Sequence, residues 1–109
     1  EACFGLGEAV VSGQITPDSY VVEKNPRSIL DVNVEKQTRG LFRAITGGNE
    51  WQEIKEPKAS SQVLTKVQIL ELADFVLKIE KHYGKPQDIE WALSENKFFI
   101  LQGRPITTL

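Results

Sequence analysis

The sequence contains no methionine, one cysteine and one histidine. One cysteine excludes an internal disulfide framework and cannot by itself form a zinc site. We therefore expect Cys3 to be a small core residue rather than a reactive thiol. Because translation begins with methionine, its absence predicts that this chain is a fragment of a longer protein.

Neither sign of charge dominates the chain, and it has no long apolar run. The 13 Lys and Arg residues are scattered among 15 Asp and Glu residues, which gives a net charge of −2 and a pI near 5.4. Without a basic stripe, nucleic acid and anionic membranes are excluded as expected partners. No segment has the pattern of a membrane span or a signal peptide, so we expect a cytoplasmic protein.

The first half of the chain has strand patterns. A length of 109 residues fits one domain, 1–109. Residues 20–23 and 28–35 predict two antiparallel strands, entered through a Pro-Asp turn at 16–19. Residues 41–45 are compatible with a strand or a helical turn, and 57–62 form a polar loop.

A helix is predicted over residues 65–83. Thr65 and Gln68 have the spacing of a capping box, and Gly84 followed by Pro86 ends the segment. The apolar positions between these signals recur with the helical period and form one broad stripe, which predicts packing against a sheet. The stripe consists of Val67, Ile69, Leu70, Leu72, Ala73, Val76, Leu77, Ile79 and Tyr83.

The C-terminal residues predict a β-hairpin with strands at 88–93 and 98–104. If Ser94 pairs with Phe98 around a three-residue loop, Asn96 or Lys97 takes the left-handed backbone position that such loops need. The register that follows from this loop has three opposed pairs, namely Ala92 with Ile100, Glu90 with Gln102, and Asp88 with Arg104.

The two faces of this hairpin differ in chemistry. One face is predicted to pack onto a core through Ile89, Trp91, Leu93, Phe99 and Leu101. The other face presents two carboxylates, an amide oxygen and a guanidinium. Carboxylate and amide oxygens suit Mg²⁺, and a guanidinium suits phosphate. The alternative is a solvated face with a simple Asp88–Arg104 ion pair, and a register shift of one residue would separate the groups.

Two other polar features are weaker candidates. Gly5 and Gly7 precede Glu8 and allow a backbone approach to phosphate, but the segment lacks both the third glycine of a dinucleotide fingerprint and the ending of a P-loop. A plain tight turn is the alternative. His82 falls in the last turn of the helix, where a role near the helix dipole is favoured over catalysis.

The hairpin sequence resembles a known family. The strings PQDIEWA (86–92) and ILQGRPIT (100–107) are similar to the end of the ATP-grasp nucleotide-binding domain of phosphoenolpyruvate synthases, pyruvate phosphate dikinases and rifampicin phosphotransferases. The strings EACFGLGEAVVSG (1–13) and TPDSYVV (16–22) resemble the segment that precedes it.

The resemblance implies an α+β fragment, the C-terminal part of an ATP-grasp domain, with ATP and Mg²⁺ as its cofactors. It implies that Glu90 and Gln102 are Mg²⁺-ATP ligands and that Arg104 contacts phosphate. Asp88 matches a further site position, and Glu8 gains a role in nucleotide binding. No residue of the fragment is implied to be a covalent catalyst.

For the parent enzyme, the resemblance implies transfer of a phosphoryl group from ATP to a carrier histidine and on to pyruvate. Its phosphohistidine and pyruvate-binding domains would be the partners of this fragment, which alone is expected to be inactive. His82 lacks the glycine-rich motif of the carrier histidine. Two alternatives stay open: a rifampicin-type antibiotic phosphotransferase and a non-catalytic binding or scaffold module.

Overall fold

The computed structural model describes residues 1–107, and the chain divides into two units, Glu1–Val67 and Gln68–Leu109. The first unit contains helix α1 (Glu8–Val11), strands β1 (Ser19–Lys24), β2 (Arg27–Asn33), β3 (Arg39–Arg43) and β4 (Asn49–Glu53), and a short 3₁₀ helix (Lys58–Ser60). Helix α2 (Lys66–Tyr83), which begins at the boundary, and strands β5 (Gln87–Ser94) and β6 (Lys97–Pro105) follow. Successive strands form three two-stranded antiparallel sheets, which confirms the α+β class.

The strands of the first unit follow the sequence pattern with small shifts. The two predicted at 20–23 and 28–35 are β1 and β2, which pair antiparallel with a register shift between Val21 and Val22. The ambiguous segment 41–45 is largely β3, which pairs with β4. The loop predicted at 57–62 contains the 3₁₀ helix.

A buried carboxylate joins three segments of the first unit. Asp18 is fully buried, and its oxygens accept hydrogen bonds from the backbone N–H groups of Glu35 and Val63, both at 2.9 Å. The Tyr20 hydroxyl donates a third bond at 2.8 Å. Burial, together with the hydrogen bond to Asp18 and its negative charge, raises the pKa of Tyr20 to about 12, although the N–H groups of Leu64 and Val63 act in the opposite direction. A buried charge is tolerated when several donors satisfy its oxygens.

Gln37 extends this network to the N-terminal segment. Its amide nitrogen donates to the carbonyl oxygen of Ala2 at 3.3 Å and to Asp18 at 3.4 Å, while its amide oxygen accepts from the N–H of Phe4 at 2.9 Å. The side chain is only 2% exposed. Together, Asp18 and Gln37 hold the chain that leads into the glycine turn.

The glycine turn itself is attached to β3. Gly5 has φ +79°, and a Cβ at this position would lie 2.5 Å from the carbonyl oxygen of Leu41. The next N–H, that of Leu6, donates to the same oxygen at 2.7 Å. Close backbone contact with β3 therefore requires a glycine at position 5.

Helix α2 confirms the helix predicted at 65–83. It begins one residue later, at Lys66, and Gly84 follows it with φ +73° and an N–H that donates to the carbonyl oxygen of Glu80 at 2.8 Å. Phe75 of this helix packs edge-on against Phe98 of β6 with ring centroids 6.2 Å apart. None of the helices within residues 1–107 is long and apolar enough to span a membrane.

The hairpin turn differs from the prediction. Ser94 pairs with Lys97 rather than Phe98, so the loop has two residues, Glu95 and Asn96, with φ values of 50° and 62°. Positive φ at both central residues is typical of a type I′ turn, whose twist matches that of the strands. The predicted loop of three residues is therefore one residue too long.

A bulge cancels this error further along the hairpin. Trp91 pairs with Ile100 and Glu90 with Gln102, so Leu101 is an extra residue on β6. The pairs Glu90–Gln102 and Asp88–Arg104 are confirmed. Ala92 pairs with Phe99, and the predicted pairing of Ala92 with Ile100 is wrong because the turn is one residue shorter.

The corrected register also changes the faces. Opposed residues share a face, so Ile100 and Phe98 join Trp91 and Leu93 on the apolar side. The Trp91 and Phe98 rings lie 5.6 Å apart in an edge-on contact. Phe99 lies on the opposite, polar face, contrary to the prediction. Leu101, also predicted to be buried, is 64% exposed because it is the extra residue of the bulge.

Candidate functional site

Four of the predicted site residues lie together on one face of the β5–β6 hairpin. Asp88 and Glu90 alternate along β5, and their partners on β6 are Arg104 and Gln102. Cβ atoms of opposed residues lie roughly 4.5–5.5 Å apart in an antiparallel pair. The bulge at Leu101 is what brings Gln102 back opposite Glu90. The sequence therefore predicted the composition of this cluster correctly.

The outer pair is an exposed ion pair. The Arg104 Nε donates to the Asp88 Oδ2 at 3.4 Å, with the two side chains 70% and 59% exposed. Such a pair contributes little to stability. The contact uses Nε and does not involve the two terminal nitrogens of the guanidinium. A phosphate can therefore be bound through the terminal nitrogens while the Asp88 carboxylate orients the group.

The inner pair offers two oxygen ligands. Glu90 and Gln102 are both exposed, and neither side chain makes a hydrogen bond or ion pair with another residue in the range 1–107. The same range contains no group of three or more His, Cys, Asp or Glu residues that could hold a metal ion. One carboxylate and one amide oxygen fit Mg²⁺ only where phosphate oxygens and water complete its octahedron.

Glu8, the fifth predicted site residue, is part of the first unit. It lies in the first turn of α1, where the Asn49 amide donates to its Oε2 at 3.4 Å. The other four residues belong to the second unit. The structure thus brings four of the five residues together. For Glu8 it shows a contact with Asn49 of β4.

The two residues that the sequence analysis set aside have ordinary surroundings. The Cys3 Sγ contacts the carbonyl oxygen of Leu6 at 3.7 Å, and burial raises the pKa of its thiol, so the unreactive protonated form is favoured. The His82 ring packs edge-on against Tyr83 with centroids 4.9 Å apart. Neither environment activates a nucleophile or base.

The first unit has an open groove of about 580 Å³ along β3 and β4. Within it the Arg39 guanidinium lies 4.3 Å from the centre of the Trp51 ring, and Lys36 pairs with Glu56 at 3.6 Å. Lys36 is therefore paired with a carboxylate, and Arg39 lies against an aromatic ring. None of the five predicted site residues lines the groove.

The apolar pattern of the sequence predicts neither the position of Phe99 on the polar face nor the role of Asp18. The signal for Phe99 was the Glu95-Asn96 pair, since asparagine favours the left-handed conformation of a two-residue turn. The Pro-Asp pair at 17–18 indicated a turn, but nothing in the local pattern identified the Asp18 partners at residues 35, 37 and 63.

Comparison with known proteins gives one family and a set of similar enzymes. The pyruvate phosphate dikinase AMP/ATP-binding domain family matches residues 1–109. A probable phosphoenolpyruvate synthase of Methanocaldococcus jannaschii is 45% identical over all of this chain, and the phosphoenolpyruvate synthase of Pyrococcus furiosus is 46% identical over 99% of it. The rifampicin phosphotransferase of Bacillus subtilis is 43% identical over the whole chain. The matched regions are 9%, 14% and 12% of those enzymes, so the chain spans about a tenth of their length.

Proposed function

The chain belongs to the pyruvate phosphate dikinase AMP/ATP-binding domain family, and from this premise we propose that it is the C-terminal part of an ATP-grasp domain whose hairpin binds Mg²⁺-ATP. The observation that carries the proposal is the direct opposition of Glu90 and Gln102 beside the Asp88–Arg104 pair. Nucleotide phosphates need both a cation and a cationic side chain, and this face supplies a place for each.

Each side chain has a distinct task in this proposal. The Glu90 carboxylate and the Gln102 amide oxygen would hold Mg²⁺, which would supply positive charge to the nucleotide phosphates. Arg104 binds a phosphate oxygen through its terminal nitrogens and offsets the charge that develops during transfer. Asp88 orients the Arg104 guanidinium.

We propose that the parent enzyme is a cytoplasmic phosphoenolpyruvate synthase-like phosphotransferase. It would pass a phosphoryl group from ATP to a carrier histidine on a separate domain and then to pyruvate bound elsewhere. The identity to two phosphoenolpyruvate synthases supports this acceptor. The chain acts as a part of that ATP site and has no turnover by itself.

A rifampicin-type antibiotic is the second candidate acceptor. The support is the comparable identity, 43%, to a rifampicin phosphotransferase. Both acceptors use the same nucleotide chemistry, so residues of the ATP site do not discriminate between them. Assaying the parent enzyme with pyruvate and with rifampicin separates the two.

Transfer of labelled phosphate from ATP to the parent enzyme tests the proposed site. We expect Glu90→Gln and Gln102→Ala each to reduce labelling by about 100-fold, because the first removes the negative charge of one cation ligand and the second removes the other ligand altogether. Arg104→Lys is expected to reduce labelling by about tenfold or more, since an ammonium lacks the planar fork.

Glu95→Gln is the matched control, because it removes the same charge from the turn of the same hairpin. It should label like the wild type. Unchanged labelling in Glu90→Gln and Gln102→Ala would contradict the proposal and leave the hairpin face as a solvated surface. ATP binding without labelling in the wild type would instead favour a binding module without chemistry.

A further inference from the structure

Phe99 occupies an unexpected place on the polar face of the hairpin. It pairs with Ala92 and so lies on the same face as Glu90–Gln102 and Asp88–Arg104. Half of its surface, 50%, is exposed. Of the three aromatic residues of the hairpin, Trp91, Phe98 and Phe99, only Phe99 lies on the face that carries the two polar pairs.

The neighbouring aromatic residues are engaged in packing. Phe98 contacts both Phe75 and Trp91, with ring centroids 6.2 and 5.6 Å away. Phe99 makes no ring contact with any residue in the described part of the chain, residues 1–107. Its cross-strand partner, Ala92, has only a methyl side chain, and half of the Phe99 surface is exposed. The Phe99 ring is therefore free to receive a flat ligand group.

The distance to the proposed phosphate site suits a nucleoside. Ala92 and Glu90 are two residues apart on β5, which is roughly 7 Å along the strand. The order on this face is Phe99 with Ala92, then Glu90 with Gln102, then Asp88 with Arg104. A nucleotide has the same order of chemistry, since an aromatic base is joined through the ribose to phosphates.

We propose that the Phe99 ring stacks against the nucleobase of the bound nucleotide, so that the base lies towards the hairpin turn and the terminal phosphate towards Arg104. The opposite orientation would place a phosphate against an apolar ring and the base against an exposed ion pair. This inference rests on the proposed function. It adds the residue that distinguishes a nucleotide from inorganic phosphate chains and sets the orientation of the ligand.

Calorimetric titration of the parent enzyme with two ligands, Mg²⁺-ATP and Mg²⁺-tripolyphosphate, tests the inference. Base–aromatic stacking is strong enough that Phe99→Ala should weaken ATP binding about tenfold. Binding of tripolyphosphate, which has no base, should stay within about twofold of the wild type. Phe99→Tyr keeps the ring and should restore ATP binding. Leu30→Ala, which removes a comparably exposed apolar side chain from β2, should change neither affinity.

The same titrations separate this inference from the proposed function. Glu90→Gln should weaken both ligands, because both need the metal-bridged phosphates. If it does so while Phe99→Ala leaves the ATP affinity unchanged or weakens both ligands equally, the base is not at Phe99 and only this inference fails. A lower melting temperature with unchanged ATP affinity would show that another protein segment covers the ring. If Glu90→Gln weakens neither ligand, the proposed function fails and this inference with it.

Discussion

Two acidic residues of the chain have opposite surroundings and opposite uses. Asp18 is fully buried and its oxygens accept hydrogen bonds from backbone, amide and hydroxyl donors. Glu90 is exposed, and no described residue makes a hydrogen bond or ion pair with its side chain. Satisfied buried groups specify structure, while unsatisfied exposed oxygens are available to a ligand. The buried carboxylate therefore bears on stability and the exposed one on binding.

The first prediction concerns Asp18. Asp18→Asn should lower the free energy of unfolding by about 2–4 kcal/mol, because an amide NH₂ would face donors where an acceptor is required. Asp31→Asn, which removes the same charge from an exposed position of β2, should change it by less than about 0.5 kcal/mol. Urea denaturation of both variants measures the difference. Equal effects would mean that the Asp18 network does not hold the first unit together.

The second prediction concerns the pH dependence from Tyr20. Its pKa is about 12 in the folded protein and near 10 in an unfolded chain. Between about pH 10 and about pH 12, the folded state keeps the phenol proton of Tyr20 and the unfolded state loses it. The Tyr20 contribution to stability is therefore complete below about pH 10 and is lost as the pH rises towards about 12.

Tyr20→Phe should remove this contribution. At about pH 8 the variant is expected to be less stable than the wild type, because phenylalanine lacks the hydroxyl that bonds to Asp18 and to the N–H of Leu64. The gap should narrow by about pH 11. The midpoints of urea denaturation at both pH values measure this difference in stability. A difference that increases with pH would contradict a raised pKa of Tyr20 in the folded state.

At the scale of elements, the sequence predicted what depends on local chemistry. Helix α2 follows from its apolar period and from Gly84, and the two polar pairs of the hairpin follow from alternation. The turn length and the bulge at Leu101 do not follow, because a one-residue change in a loop has almost no signal in the apolar pattern. Two such errors cancelled at Glu90–Gln102 and did not cancel at Phe99. The Asp18 network was also beyond prediction, since its partners are distant in sequence.

The third prediction tests the two-residue turn. Glu95 has φ 50°, a conformation that asparagine adopts more readily than glutamate. Glu95→Asn should therefore raise the free energy of unfolding by about 0.5–1 kcal/mol. Glu95→Ala removes the same charge without this preference and should give no gain. Thermal unfolding compares the two, and destabilisation by Glu95→Asn would be inconsistent with a type I′ turn.

The fourth prediction concerns the apolar face of the hairpin. Trp91 is half-buried and contacts Phe98, so Trp91→Ala should lower the free energy of unfolding by about 2–3 kcal/mol, below the range for fully buried aromatic residues. Glu90→Gln, on the opposite face, should change it by less than about 0.5 kcal/mol. Chemical denaturation gives both values. The reverse ranking would mean that the two faces are assigned the wrong way round.

In the whole molecule, the Asp18 network joins segments of the first unit, and the hairpin of the second unit exposes two polar pairs on one face. The family match covers residues 1–109, and the relatives are several times longer. We propose that the opposed Glu90 and Gln102 link nucleotide binding to Mg²⁺. If Mg²⁺ and ATP bind in contact with each other, each raises the affinity for the other, and removing the protein ligands of the metal reduces that coupling.

We would measure the affinity of the parent enzyme for ATP with Mg²⁺ and with EDTA, for the wild type, for Glu95→Gln and for the double variant Glu90→Ala/Gln102→Ala. We expect Mg²⁺ to strengthen ATP binding by about tenfold or more in the wild type and in Glu95→Gln. In the double variant the two affinities should be nearly equal. The same Mg²⁺ dependence in the double variant as in the wild type would contradict the assignment of these two residues as the metal ligands.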